Sequence, residues 1–218
     1  MTQSPPNRCR IVLIAPWGES TDAFEVRFSA AISGGDVASL IIPQYAMDET
    51  AYQALAEALV PIAQARGVAA VIAGDSRVAG RVKADGVHIE SGIDDLAEAI
   101  RRHAGKLMVG AGGAKTRDDA MELGEMQPDY VFFGRFGFDN KPDAHPRNLS
   151  LGEWWAEVIE IPCIVMAGFD IASVEQVAAT GADFVALSSA VFGEGVDPRE
   201  AVARANAILD ETAPRFEE

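Results

Sequence analysis

The chain has 218 residues, 33 of them acidic and 18 basic, for a formal net charge of −15, and 49% are apolar. That balance disfavours nucleic-acid binding through a broad electropositive face, and no stretch is apolar for long enough to span a bilayer. An anionic substrate would need directed local donors: a helix N-terminus, a glycine turn, a single Lys or Arg, or a metal ion.

The first ten residues, MTQSPPNRCR, have no apolar run of the kind a secretory leader needs. Their Pro, Ser and Asn predict a flexible arm over residues 1–8, with one barrel-sized domain over 9–213. Cys9 and Cys163 are far apart and fit no metal spacing, which predicts reduced thiols and a cytoplasmic protein. Composition leaves the oligomeric state open, a homo-oligomer included.

From there, short apolar runs alternate with amphipathic stretches. RIVLIA (10–15) predicts a strand and 22–32 a helix. ASLIIP (38–43) predicts a second strand, and Leu55, Leu59 and Ile62 have helical spacing within 48–65. AAVIAG (69–74), a short helix over 76–83, GVHI (86–89) and a helix over 94–103 follow. KLMVGAG (106–112) predicts a fifth strand, and Thr116 an N-cap for a helix over 116–123. YVFFG (130–134) leads into a long polar loop and a helix around 151–159. CIVMAG (163–168), a helix over 173–179, FVALSS (184–189) and a helix over 198–209 complete the pattern, with Pro198 suited to a first turn.

Eight strands alternating with eight helices predict a single-domain (β/α)8 barrel. The strands are apolar on both faces, as in a parallel sheet covered by helices. An open doubly wound sheet is disfavoured because no G-x-G-x-x-G follows the first strand.

In such a barrel the active site lies at the C-terminal ends of the strands, often with a phosphate site after strands seven and eight. That places an anion cup at Gly168, Ser188 and Ser189, with backbone N–H groups as donors. Arg135 and Lys141 follow strand six and are the candidate catalytic side chains. His88 and Gly112 end strands four and five and are candidates for the substrate mouth. Asp75, paired with Asp94 or Glu90, is the candidate for weak Mg2+ binding through oxygen ligands.

Taken together, ADGVHI (84–89), DYVFFG (129–134), IPCIVMAG (161–168) and GADFVALSSAVF (181–192) resemble the thiamine-phosphate synthase superfamily, which includes thiazole tautomerases. The resemblance implies a cytoplasmic enzyme acting on a small phosphorylated heterocycle. It implies a thiazole phosphate at Gly168 and Ser189, and chemistry in which Mg2+ and basic groups neutralise a departing diphosphate. The chain departs from the synthase pattern on the diphosphate side. After strand two, SLIIPQYAMD (39–48) carries no Arg or Lys where synthases have a Gln-x-Arg-x-Lys type motif, and Gly112 stands where a Ser is expected. In the tautomerases a histidine follows the strand-six glycine; here that position is Arg135. The alternatives implied are a tautomerase-like or altered enzyme working on one phosphorylated heterocycle, and a non-catalytic binder of a phosphorylated ligand.

Overall fold

The computed structural model describes residues 6–216. Its strands are β1 (Arg10–Ile14), β2 (Ser39–Pro43), β3 (Ala69–Ala73), β4 (Gly86–Ile89), β5 (Met108–Ala111), β6 (Tyr130–Phe133), β7 (Cys163–Met166) and β8 (Phe184–Leu187). All pair in parallel in chain order, and β8 returns to β1 with Val12 opposite Ala186 and Leu13 opposite Leu187. The predicted (β/α)8 barrel is the fold. The helices are α1 (Thr21–Ala31), α2 (Glu49–Ala65), α3 (Ser76–Val82), α4 (Ile93–His103), α5 (Arg117–Glu125), α6 (Pro146–Val158), α7 (Ser173–Ala178), α8 (Ser189–Phe192) and α9 (Pro198–Thr212). None among the described residues is long and apolar enough to cross a membrane.

Strand alternation sorts each apolar run into two buried layers. One parity, with Ile11, Leu13, Leu40, Val87, Val131 and Val165, packs outward against the helices. The other fills the barrel with Val12, Ile14, Ile41, Val71, Tyr130, Phe132, Ile164, Met166 and Ala186. Gly110 lies under the Tyr130 ring, where a Cβ would collide with the phenol. A small residue on β5 thus lets a large one on β6 cross the lumen.

The even-numbered strands share a device at their N-terminal ends. Asp85, Asp129 and Asp183 precede β4, β6 and β8 and accept the N–H groups of Ala70, Val109 and Cys163 at 2.8, 2.7 and 2.8 Å. Each carboxylate ties the start of one strand to the start of its neighbour, satisfying a donor at the rim. Asp36, ahead of β2, holds the Arg10 guanidinium in a two-pronged ion pair at 2.8 and 2.7 Å.

Two elements differ from expectation. The helix expected around 151–159 begins at Pro146, because Pro146 fits the first turn and the His145 side chain accepts the Arg147 N–H. The eighth strand ends at Leu187, and Ser189 opens the one-turn α8. Thr116 caps α5 in a reciprocal capping box with Asp119.

Residues 1–5 of the expected flexible arm lie outside the described residues, while its last residue, Arg8, is buried. Arg8 donates to Asp210, Asn206 and the Cys9 carbonyl at 2.8, 3.1 and 2.8 Å, and bridges to Arg215. Cys9 and Cys163 are free and buried, and burial pushes the Cys163 thiol up to about 12.

Candidate functional site

The C-terminal ends of β2, β3, β4 and β6 open onto a pocket of about 570 Å3, lined by Gln44, Tyr45, His88, Glu90, Arg135, Phe136 and Phe138 among others. Tyr45 closes one side: its hydroxyl donates to the Ala15 carbonyl at 2.9 Å, linking the β1 and β2 loops. Phe136 stacks on Phe132 at 5.0 Å and sets its edge against His88 at 5.3 Å. The Arg135 guanidinium lies 3.7 Å over the Phe138 ring. The walls are therefore aromatic, with one cation at the rim, suited to a planar ring bearing polar substituents.

The floor is polar. His88 points into the barrel from β4, and its side chain is fully buried. Its Nδ1 meets the Tyr130 hydroxyl at 3.0 Å, and the two rings stack at 5.6 Å. Burial, then the carboxylates of Glu90 and Asp129, push the Tyr130 pKa up and keep it a phenol. His88 is the only hydrogen-bond partner of that hydroxyl among the described residues; with the phenol donating to Nδ1, the imidazole proton sits on Nε2. Nε2 is buried without a hydrogen-bond partner, and Glu90 Oε1 stands 3.5 Å away. Gly112 lies beneath both, where a Cβ would come within 2.7 Å of Nε2 and 2.9 Å of Oε1. Gly112 thus shapes the mouth by leaving room for two other side chains. Glu90 is two residues beyond His88, and that period-two spacing is the sequence signal that pairs them.

Three of the donors expected to form the anion cup are engaged within the chain. Ser188 turns into the barrel wall, where its hydroxyl donates to the Ile14 carbonyl at 3.1 Å. The Ser189 N–H donates to the buried Asp139 carboxylate at 2.6 Å. The Gly168 N–H donates to Ser173 Oγ at 3.0 Å, and those of Phe169 and Asp170 to the carbonyls of Lys141 and Pro142 at 2.8 and 3.2 Å. The β6–α6 loop therefore straps the ends of β7 and β8. Gly168 is required for this approach, since a Cβ there would run into the Pro142–Asp143 backbone. Arg135 and Lys141 are both exposed and come together on a second pocket of about 500 Å3, with His145 and Arg147. Asp139, the residue in the cup, lies within the loop sequence GRFGFDNK but carries no local signal that sets it apart.

The proposed oxygen ligands stand apart from one another, and one of them is paired within the chain. Asp75 caps α3 and is bound by the backbone N–H and guanidinium of Arg77, which hold its carboxyl below the usual range. Asp94 is exposed in the first turn of α4. Among the described residues no group of three or more His, Cys, Asp or Glu is placed to hold a metal. Asp75, expected to pair with Asp94 or Glu90, forms an exposed ion pair with Arg77.

Residues 11–191 match the family model described as thiamine monophosphate synthase. The chain belongs to that family. A thiamine-phosphate synthase of Rhodospirillum centenum is 34% identical over 206 residues, covering 92% of this chain and 98% of the relative. One from Erythrobacter litoralis is 40% identical over 152 residues, 68% and 70% of the two chains. The thiamine phosphate pyrophosphorylase of Pyrococcus furiosus superposes with a TM-score of 0.75 at 21% identity, covering 95% of this chain and 98% of that one. The mouth of this chain has an uncharged β2 end at Pro43, Gln44 and Tyr45, and a carboxylate, Glu90, beside the β4 histidine.

Proposed function

We propose that this protein is an enzyme of thiamine biosynthesis that binds a phosphorylated thiazole at the barrel mouth. The observation that carries this reading is the family match across nearly the whole barrel, with the aromatic pocket at the end where barrel enzymes act. In this reading the heterocycle lies between Tyr45, Phe136 and Phe138. Its phosphate is drawn to Arg135 and Lys141 and reaches the Gly168–Ser189 side once Asp139 withdraws. Binding a phosphate at Ser189 N–H exchanges one anion for another, so the −15 charge of the chain does not oppose it locally.

A synthase joins a pyrimidine diphosphate to the thiazole phosphate and must stabilise the leaving diphosphate. The uncharged β2 end and the Arg77-bound Asp75 favour a second reading: an altered, tautomerase-like enzyme working on one phosphorylated heterocycle without a diphosphate partner. Arg135 cannot serve such a reaction as a proton shuttle, because guanidinium stays protonated in proteins. A binder without turnover is the remaining alternative.

Thermal shift with thiazole phosphate, thiamine phosphate and pyrophosphate, each with and without Mg2+, tests these readings. A ligand at a hundredfold over Kd stabilises the fold by about 2.7 kcal/mol. Stabilisation by the monophosphates alone supports the second reading, and added stabilisation by pyrophosphate with Mg2+ supports the synthase. No response to any phosphate ester overturns both. A coupled turnover assay then separates enzyme from binder.

A further inference from the structure

The buried Nε2 of His88 has no hydrogen-bond partner, an arrangement that folded proteins seldom leave without a reason. Tyr130 holds the ring through Nδ1, the missing Cβ of Gly112 leaves room for both side chains, and the Glu90 carboxylate stands 3.5 Å away at the pocket floor. The two residues line one aromatic-walled pocket, with Nε2 covered just beneath its floor and the Glu90 carboxylate part-exposed beside it. We propose that Glu90 and His88 are a proton-transfer pair, with Glu90 as the base and neutral His88 as the hydrogen-bond electrophile, acting on a planar substrate that has an acidic C–H beside a C=N or C=O group. The inference rests on the reading of this mouth as the active site and specifies its second, single-heterocycle form.

The step balances without a co-reactant. The substrate C–H bond breaks and its proton passes to a Glu90 oxygen. The electron pair moves into the planar system and onto the nitrogen or oxygen held by His88 Nε2–H. Glu90 then returns the proton to a neighbouring atom, giving an isomer. A carboxylate base working with a neutral imidazole divides the task in this way in aldose–ketose isomerisation. Tyr130 is a positioning residue: it accepts no part of the charge and holds the tautomer. The three groups come from β4, the turn after it and β6, so the arrangement is set by the barrel wall rather than by a long loop.

The test uses 5-nitrobenzisoxazole, a planar probe whose ring C–H is removed by a base as its N–O bond breaks to release a coloured phenolate. The full-length protein should accelerate this elimination by about 100-fold over an equal concentration of acetate. Glu90→Gln, an isosteric change at a partly exposed side chain, should bring the rate down to the buffer background, and Glu90→Asp should restore part of it. His88→Gln should lower kcat more than it changes KM. Tyr130→Phe should shift the 15N signals of His88 toward the Nδ1–H tautomer and lower kcat, which a merely structural phenol would not do. A wild-type rate equal to acetate, or a Glu90→Gln variant as fast as wild type with native circular dichroism, overturns the proposal. Stabilisation by thiazole phosphate without Glu90-dependent elimination overturns this inference alone. Elimination without any phosphate-ester stabilisation overturns the proposed substrate alone.

Discussion

Asp139 and Ser189 meet in one hydrogen bond, and in the proposed anion cup that bond would compete with the ligand. The carboxylate is buried and accepts the Ser189 N–H at 2.6 Å, while that N–H is the donor a phosphate would need. Charge-assisted bonds of this kind contribute about 1.5–3 kcal/mol. Asp139→Ala should therefore tighten binding of inorganic phosphate or thiazole phosphate by about tenfold, read by calorimetry, even as it lowers Tm slightly. Weaker phosphate binding in that variant would make Asp139 part of the site rather than its competitor. The sequence pointed to Gly168 and Ser189 because glycine and serine after late strands are legible as a motif. It did not reveal Asp139 as the partner of Ser189, because a loop of polar residues gives no periodicity from which to read which side chain turns inward.

Among elements, the strands were legible because each is a short apolar run buried on both faces, and their order follows from the right-handed βαβ rule. The one-turn α8 was not, since four residues are too few to display a helical period. The carboxylates that tie neighbouring strands together were also missed. In the motifs ADG, PDY and ADF, an aspartate ahead of an apolar run reads as a turn residue. Asp129→Ala would leave the Val109 N–H without its partner at the barrel floor, so the fold should lose about 1–3 kcal/mol in urea unfolding. Wild-type stability in that variant would mean that water takes over the donor.

The α5 cap gives a pH signature at the same scale. The Lys115 N–H, followed by the Thr116 side chain and N–H, holds the Asp119 carboxyl below its ordinary value. A folded pKa below the unfolded one adds stability above the unfolded value, near about 4, and that stability is lost as pH falls through the folded one. The Tm gap between wild type and Asp119→Ala should therefore be constant from neutral pH to about 5 and close on further acidification. A gap unchanged at low pH would show that the side chain acts by packing alone.

At the scale of the whole molecule, closing the barrel requires β1 to lie between β2 and β8, so its entry to the barrel floor has to be held. Arg8 does this from inside the fold. Its guanidinium reaches Asp210 and Asn206 on α9 and the Cys9 carbonyl, and Asn206 passes the contact on to the Asp36 carbonyl ahead of β2. The first and last segments of the domain are clasped at the end of the barrel opposite the mouth. Because Asp210 is largely exposed, the ion pair itself contributes little, and the larger cost of losing Arg8 is the unpaired Cys9 carbonyl and Asn206 amide oxygen. Arg8→Ala should cost about 3 kcal/mol, which lowers Tm by about 6–12 °C for a domain of this size. Phosphate-ester affinity, read at a temperature where the variant is folded, should stay at the wild-type value because the clasp and the mouth share no side chain. If affinity falls together with Tm, closure at the floor sets the geometry of the mouth, and the two ends of the barrel are coupled.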